Sequence, residues 1–277
     1  MHDTGDVKGG VLVGAPWLAE HLHDPGLRLI EIDVNSTAYD RGHITGALLW
    51  NVYRDLKDGN YQLIDQTAVQ ELVASSGIAP DTTVVFYGYG PAMGLWLLKL
   101  YGHSDVRILD CSRDIWKEAG LPWTTEVTTP ARTEYRLPDQ DERLRADRTR
   151  VQAAIDETSV TILDVRSELE FRGERFWPSG GLEPGGRAGH IPSAVHLSID
   201  GLRNEAGAFR GVEELRKIFA PIDRGGEGEV IPYCTIGIRA CTAWFALTYL
   251  LGREGVRVYE GSWAEWGRMP ESPVETN

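Results

Sequence analysis

Gly42-His43-Ile44-Thr45-Gly46-Ala47-Leu48 returns later in the chain as Gly189-His190-Ile191-Pro192-Ser193-Ala194-Val195. The flanks return with it. Leu29-Ile30-Glu31-Ile32-Asp33-Val34 precedes the first copy and Thr161-Ile162-Leu163-Asp164-Val165 the second, which aligns Asp33 with Asp164. Thr83-Val84-Val85-Phe86-Tyr87-Gly88 follows the first, and Glu229-Val230-Ile231-Pro232-Tyr233-Cys234 the second. Val106–Asp110 then matches Val256–Glu260, Trp116 matches Trp266, and Leu121-Pro122 matches Met269-Pro270. A period of about 147 residues is too long for a solenoid, whose repeats run roughly 20–50 residues; it is the period of a duplicated domain. Residues 124–147 are polar, contain proline and carry no apolar period, so they read as a linker between domains at 1–123 and 148–277.

Within each copy, short apolar runs such as Val84-Val85-Phe86 and Val160–Leu163 suit strands buried on both faces of a parallel sheet. Between them lie helical segments: Met93–Tyr101, the amphipathic Val212–Phe219, and the almost wholly apolar Ala240–Leu251. Val151–Ile155 opens the first helix of the second domain. Alternating strands and helices make the fold class α/β, with parallel sheets flanked by helices.

The chain of 277 residues is 42% hydrophobic and 25% charged, the balance of a globular protein with a core. No apolar run approaches the ~20 residues of a membrane helix. Met1–Asp6 lacks a basic start followed by an apolar stretch, so the expected location is cytoplasmic. A net charge of −13 argues against nucleic-acid and anionic-membrane partners, but leaves room for a small anion bound in a local positive pocket. Three cysteines, Cys111, Cys234 and Cys241, fit neither a disulfide framework nor an all-cysteine zinc site, and no CxxC pair exists. No metal or organic cofactor is expected.

One cysteine is placed for chemistry. Cys234-Thr235-Ile236-Gly237-Ile238-Arg239 runs from the end of a strand into a helix N-terminus. Ligands bind at that end of open α/β sheets. Loop amides and the helix dipole converge there on negative charge, which favours a thiolate over a thiol. Gly237 lets the loop curl and Arg239 adds a positive charge. Cys241, inside the apolar helix, and Cys111 read as packing.

With these residues in place the sequence resembles the two-domain rhodanese family of sulfurtransferases. The resemblance covers nearly the whole chain. It rests on the two aspartate-containing strands, the two Gly-His-Ile signatures, the Cys234 loop, and the Gly261-Ser262-Trp263…Trp266 segment. It implies two tandem rhodanese-like domains, each with a five-stranded parallel core, and a nucleophile in the C-terminal copy alone; Gly88 stands where the first copy would need it. The loop is Cys-x4-Arg, whereas related phosphatases of the fold have Cys-x5-Arg, and Tyr233 stands where ordinary tyrosine phosphatases have histidine. Its Ile-Gly-x-Arg part resembles bacterial thiosulfate enzymes of the Cys-Arg-Ile-Gly-Glu-Arg type. Thr235 and Ile238 stand where that type has charged residues, so the loop is less polar.

The expected reaction is a double displacement. Cys234 takes a sulfane sulfur from thiosulfate or a related anionic donor, becomes a persulfide, and passes the sulfur to cyanide or a thiol. Thr235, Ile236, Gly237, Ile238 and Arg239 are the expected substrate-binding residues, their amides stabilising the charged sulfur and the Arg239 charge meeting the donor. Arg187 joins them by resemblance, as an arginine ahead of Gly-His-Ile. Alternatives are a 3-mercaptopyruvate sulfurtransferase, a carrier that delivers persulfide sulfur to an acceptor protein, or a binding module with an unreactive cysteine. His43, His190, Asp33 and Asp164 recur in both copies and read as structural, with Asp164 and Arg166 able to form an internal ion pair. The glycine-rich stretch 171–187 has no match in the first copy. It reads as a long loop beside the cleft, with Phe176 or Trp177 either covering the donor or anchoring the loop.

Overall fold

The computed structural model describes residues 10–223 and 225–276; the Met1–Asp6 reading lies outside them. Backbone packing divides the chain into two units. One comprises the residues up to Asp58, Ile64–Asp141 and Arg203–Phe209; the other comprises Gly59–Leu63, Glu142–Leu202 and the residues from Arg210 on. Each unit therefore holds a short segment from the opposite half of the sequence.

The first unit is built on β1 (Leu12–Val13), β2 (Leu27–Asp33), β4 (Leu48–Asn51), β5 (Thr83–Gly88) and β6 (Val106–Leu109). They form one parallel sheet in the order β1-β6-β5-β2-β4. The inner strands carry unbroken apolar runs because both faces are covered: Leu29, Ile30, Ile32, Val84, Val85 and Phe86 are all buried. Helix Pro91–Leu100 lies against them and is buried along nearly its whole length. A small antiparallel pair, β3 (His43–Ile44) with β7 (Trp123–Thr124), closes the signature turn.

The second unit repeats this plan with less regular ladders. β8 (Val160–Asp164), β9 (Val195–His196) and β10 (Glu229–Tyr233) form a parallel sheet in the order β10-β8-β9. Parallel bridges from Val230 to Val256 and from Val258 to Arg145 extend it to the same five-position order. The antiparallel bridge His190–Glu275 repeats the β3–β7 pair. Helix Val212–Phe219 has the bounds its amphipathic pattern predicts. The expected Ala240–Leu251 helix is instead an α-helix, Ile238–Phe245, continued by a wider π-turn over Ala246–Leu250. Gly252, at φ 71°, ends it.

Hydrogen bonding corrects the alignment of the copies. Ile44 N donates to Tyr87 OH and Ile191 N to Tyr233 OH, both at 3.2 Å. Tyr87 lies in register with Glu31, and Tyr233 with Asp164. The counterpart of Asp164 is thus Glu31, not Asp33, and each has its arginine: Arg113 on Glu31 at 2.7 Å and Arg166 on Asp164 at 2.6 Å. The same register makes Gly88 the counterpart of Cys234. Gly88 sits at φ 99°, and a Cβ there would meet Ile32 O at 2.8 Å and Glu31 Cγ at 2.9 Å.

Both signature histidines hold turns. The ring of His43 stacks on Tyr39 and bonds the Tyr39 carbonyl; His190 does the same with Phe171. In the 171–187 loop, Phe176 is buried in the core with Tyr233, Trp263 and Trp266, which makes it the loop's anchor and removes it as a donor cover. Trp177 packs against that core and donates to Glu183 at 2.9 Å.

Candidate active site

β10 delivers Tyr233 to the sheet end, and the chain turns at Cys234, which is buried. Two groups of bonds shape the turn. The Cys234 amide donates to Ser262 Oγ at 3.0 Å, and Ser262 Oγ donates to the Tyr259 carbonyl at 2.8 Å. The carbonyls of Cys234 and Thr235 accept from the amides of Trp263 and Ala264 at 3.0 and 2.8 Å. The Gly-Ser-Trp segment noted in the sequence is therefore the clamp that holds the loop's carbonyls. With those carbonyls engaged, the Gly237 amide donates to Cys234 Sγ at 3.1 Å. Among the described residues the amides of Thr235, Ile236 and Ile238 have no acceptor. Gly237 is required: its φ is 92°, and a Cβ would lie 2.7 Å from the Glu260 carbonyl. Helix Ile238–Phe245 starts at the next residue, so its positive end adds to the loop amides.

Glu170 is the residue that the sequence reading missed. It is fully buried on the short helix Glu168–Phe171, whose capping box it forms with Ser167. Its carboxylate accepts from Arg239 Nη1 at 2.9 Å and Nη2 at 2.7 Å, and from Thr235 Oγ1 at 2.7 Å. Ser167 donates to it through its amide and its hydroxyl, at 3.1 and 2.7 Å. Burial alone would raise the Glu170 carboxyl. The bonds and charge of Arg239, with Thr235 and Ser167, outweigh burial and bring it down to about 2. The guanidinium expected to meet the donor is thus committed to a carboxylate.

Behind the loop lies a second buried pair. Arg166 and Asp164 are both wholly buried; Arg166 also donates to the Gly189 carbonyl at 2.7 Å and lies 4.6 Å over the Trp263 ring. Tyr233 OH donates to Asp164 at 2.5 Å. Burial and the adjacent carboxylate push the Tyr233 phenol well above its ordinary range, so it remains a donor. This network fixes the strand end on which Cys234 stands.

Thr235, Gly237 and Arg239 are thus joined with Cys234 in one hydrogen-bonded loop, and Ile236 and Ile238 are buried within it. Arg187 is placed apart. Its guanidinium donates to the Met269 carbonyl, and among the described residues no hydrogen bond or ion pair links it to the loop. It touches the site at one remove, where Trp263 Nε1 donates to the Arg187 carbonyl at 3.0 Å. Burial and Asp110 push the Cys111 thiol up to about 11, which suits an inert cysteine. Among the described residues no group of three His, Cys, Asp or Glu side chains is arranged to hold a metal.

The rhodanese-like domain matches residues 14–119 and again 147–269. A Haloferax volcanii protein named "Putative thiosulfate sulfurtransferase" is 39% identical, over 98% of this chain and 98% of its own. The "Sulfur carrier protein TtuD" of Thermus thermophilus is 38% identical over 95% of this chain and 96% of its own. In fold, the chain is similar to an anaerobic ergothioneine biosynthesis enzyme from Chlorobium limicola, with a TM-score of 0.81 at 24% identity, covering 96% of this chain and 70% of that one. Matched in both halves and by relatives along nearly its full length, the chain belongs to the rhodanese-like family as a tandem pair of rhodanese domains.

Proposed function

We propose that the protein is a sulfurtransferase whose nucleophile is Cys234, and that it moves sulfane sulfur from a small anionic donor, thiosulfate being the simplest, to a thiophilic acceptor. The observation that carries this reading is the Gly237 amide on Cys234 Sγ at 3.1 Å, at the first turn of a helix. An amide donating to sulfur stabilises a thiolate before the reaction and a charged persulfide after it. In the first half-reaction the thiolate attacks the outer sulfur of thiosulfate. The S–S bond of the donor breaks, sulfite leaves with the electron pair, and Cys234–S–S⁻ remains. In the second, cyanide or a thiolate attacks the terminal sulfur and Cys234 departs as thiolate. No electron is gained or lost in sum. The loop amides and the helix terminus serve both steps, and the two-step course predicts ping-pong kinetics.

Exposure to thiosulfate should add about 32 Da, one sulfur, to the intact protein, and cyanide should remove it. Cys234→Ser should lose both the adduct and turnover; retained thiosulfate:cyanide activity in that variant refutes the assignment.

A second reading is supported by the relative named as a sulfur carrier. Here the persulfide forms on Cys234 in the same way but is drained by an acceptor protein. A persulfide that forms fully yet is removed only slowly by cyanide and small thiols favours this reading over the free-standing enzyme. Either use of a persulfide suits a reducing compartment such as the cytoplasm.

A further inference from the structure

Arg239 is the one cation in the sequence of the loop from Cys234 to Arg239. Its guanidinium meets the buried Glu170 through two parallel hydrogen bonds, and the loop hydroxyl of Thr235 is spent on the same carboxylate. Loop and carboxylate together carry one positive and one negative charge. What is left to face a donor at the sulfur is the set of amide dipoles. Dipoles of this kind suit the single charge of a persulfide. A dianion approaching the same sulfur gains no compensating side-chain charge from this loop, on a chain whose net charge is −13.

We propose that Glu170 sets donor preference at Cys234: by cancelling Arg239 it leaves the loop neutral, which favours an organic hydropersulfide, R–S–SH, over the thiosulfate dianion. This rests on Cys234 being the sulfur-accepting nucleophile. With such a donor, the Cys234 thiolate attacks the outer sulfur, the S–S bond of the donor breaks, and R–S⁻ leaves with the electron pair. Cys234–S–SH keeps the proton, and the charge is the same before and after. Glu170 touches no reacting atom; it acts through Arg239 and is a positioning residue for specificity.

The test is the rate at which the full-length protein gains one sulfur, followed by intact mass, with thiosulfate and with the hydropersulfide of 2-mercaptoethanol as separate donors. Glu170→Gln uncovers the Arg239 charge. It should raise the thiosulfate rate relative to the hydropersulfide rate by about tenfold, through a lower apparent KM for thiosulfate, the effect of one charge at short range in a partly wet site. The double variant Glu170→Gln with Arg239→Gln removes both charges and should return the donor ratio to that of the wild type. This second comparison stands whether or not the single variant folds. A single variant with an unchanged donor ratio, or one that slows both donors alike, overturns the proposal, as does a double variant whose ratio departs about tenfold from wild type. If the wild type gains sulfur from neither donor, it is the Cys234 reading that fails.

Discussion

Ser262 does at the residue scale what no loop residue can do for itself. It occupies a left-handed conformation, φ 53°, and is wholly buried, and its hydroxyl both accepts from the Cys234 amide and donates to the Tyr259 carbonyl. Ser262→Ala strands a buried amide beside the nucleophile. The expected loss is about 1–3 kcal/mol of stability, with slower persulfide formation. Thermal melting and the single-turnover mass assay check this; an unchanged melting temperature contradicts it. The residues that made Cys234 legible were local: a strand end, a glycine and a helix start within a few positions. Glu170 was not legible for the opposite reason. Its partners in the loop lie 65 and 69 residues away, and in the sequence it is one more acid on a short helix. Burial gives that acid its role, and burial at such separations is a property of the fold.

At the scale of elements, the four-residue helix Glu168–Phe171 has its start stabilised by the same carboxylate that anchors the loop. The folded state holds Glu170 near 2 against an ordinary 4.5, so it binds a proton less readily than the unfolded chain does. The stability this contributes is complete above about pH 4.5 and is lost as pH falls toward 2. Wild-type melting temperature should therefore fall more steeply than that of Glu170→Gln over this range, and parallel curves contradict the coupling. Helix Val212–Phe219 was readable because its apolar stripe alone decides it. The pairing of Glu31 with Asp164 was not. Acid-bearing strand ends can be matched two residues out of step, and it takes the ladder register of Tyr87 with Glu31 and of Tyr233 with Asp164, beside their like hydroxyl bonds, to set the true match.

For the molecule as a whole, the sequence repeat correctly indicates two similar domains, but the units are not clean halves of the chain. Arg203–Phe209 belongs to the first unit, where the Ala206 carbonyl accepts from Ser112 N at 2.9 Å and Phe209 N donates to Asp110 at 2.8 Å. A fragment of residues 1–141 lacks this segment. Its Ser112 amide should exchange with solvent faster than in the full chain, as read by hydrogen–deuterium exchange; equal protection contradicts the assignment. No periodicity announces such a segment, because it is short, polar and bonded mostly through its backbone.

Gly88 closes its position in the first copy to a side chain. The backbone there follows a path open to glycine, and the space a side chain would fill is occupied by the Ile32 carbonyl and by Glu31, the acid that Arg113 holds. A single codon change to cysteine would set a thiol where a strand end and an ion pair must first give way together. A thiol at this position therefore costs backbone strain and a buried ion pair at once, so the likeness of the two copies stops at form.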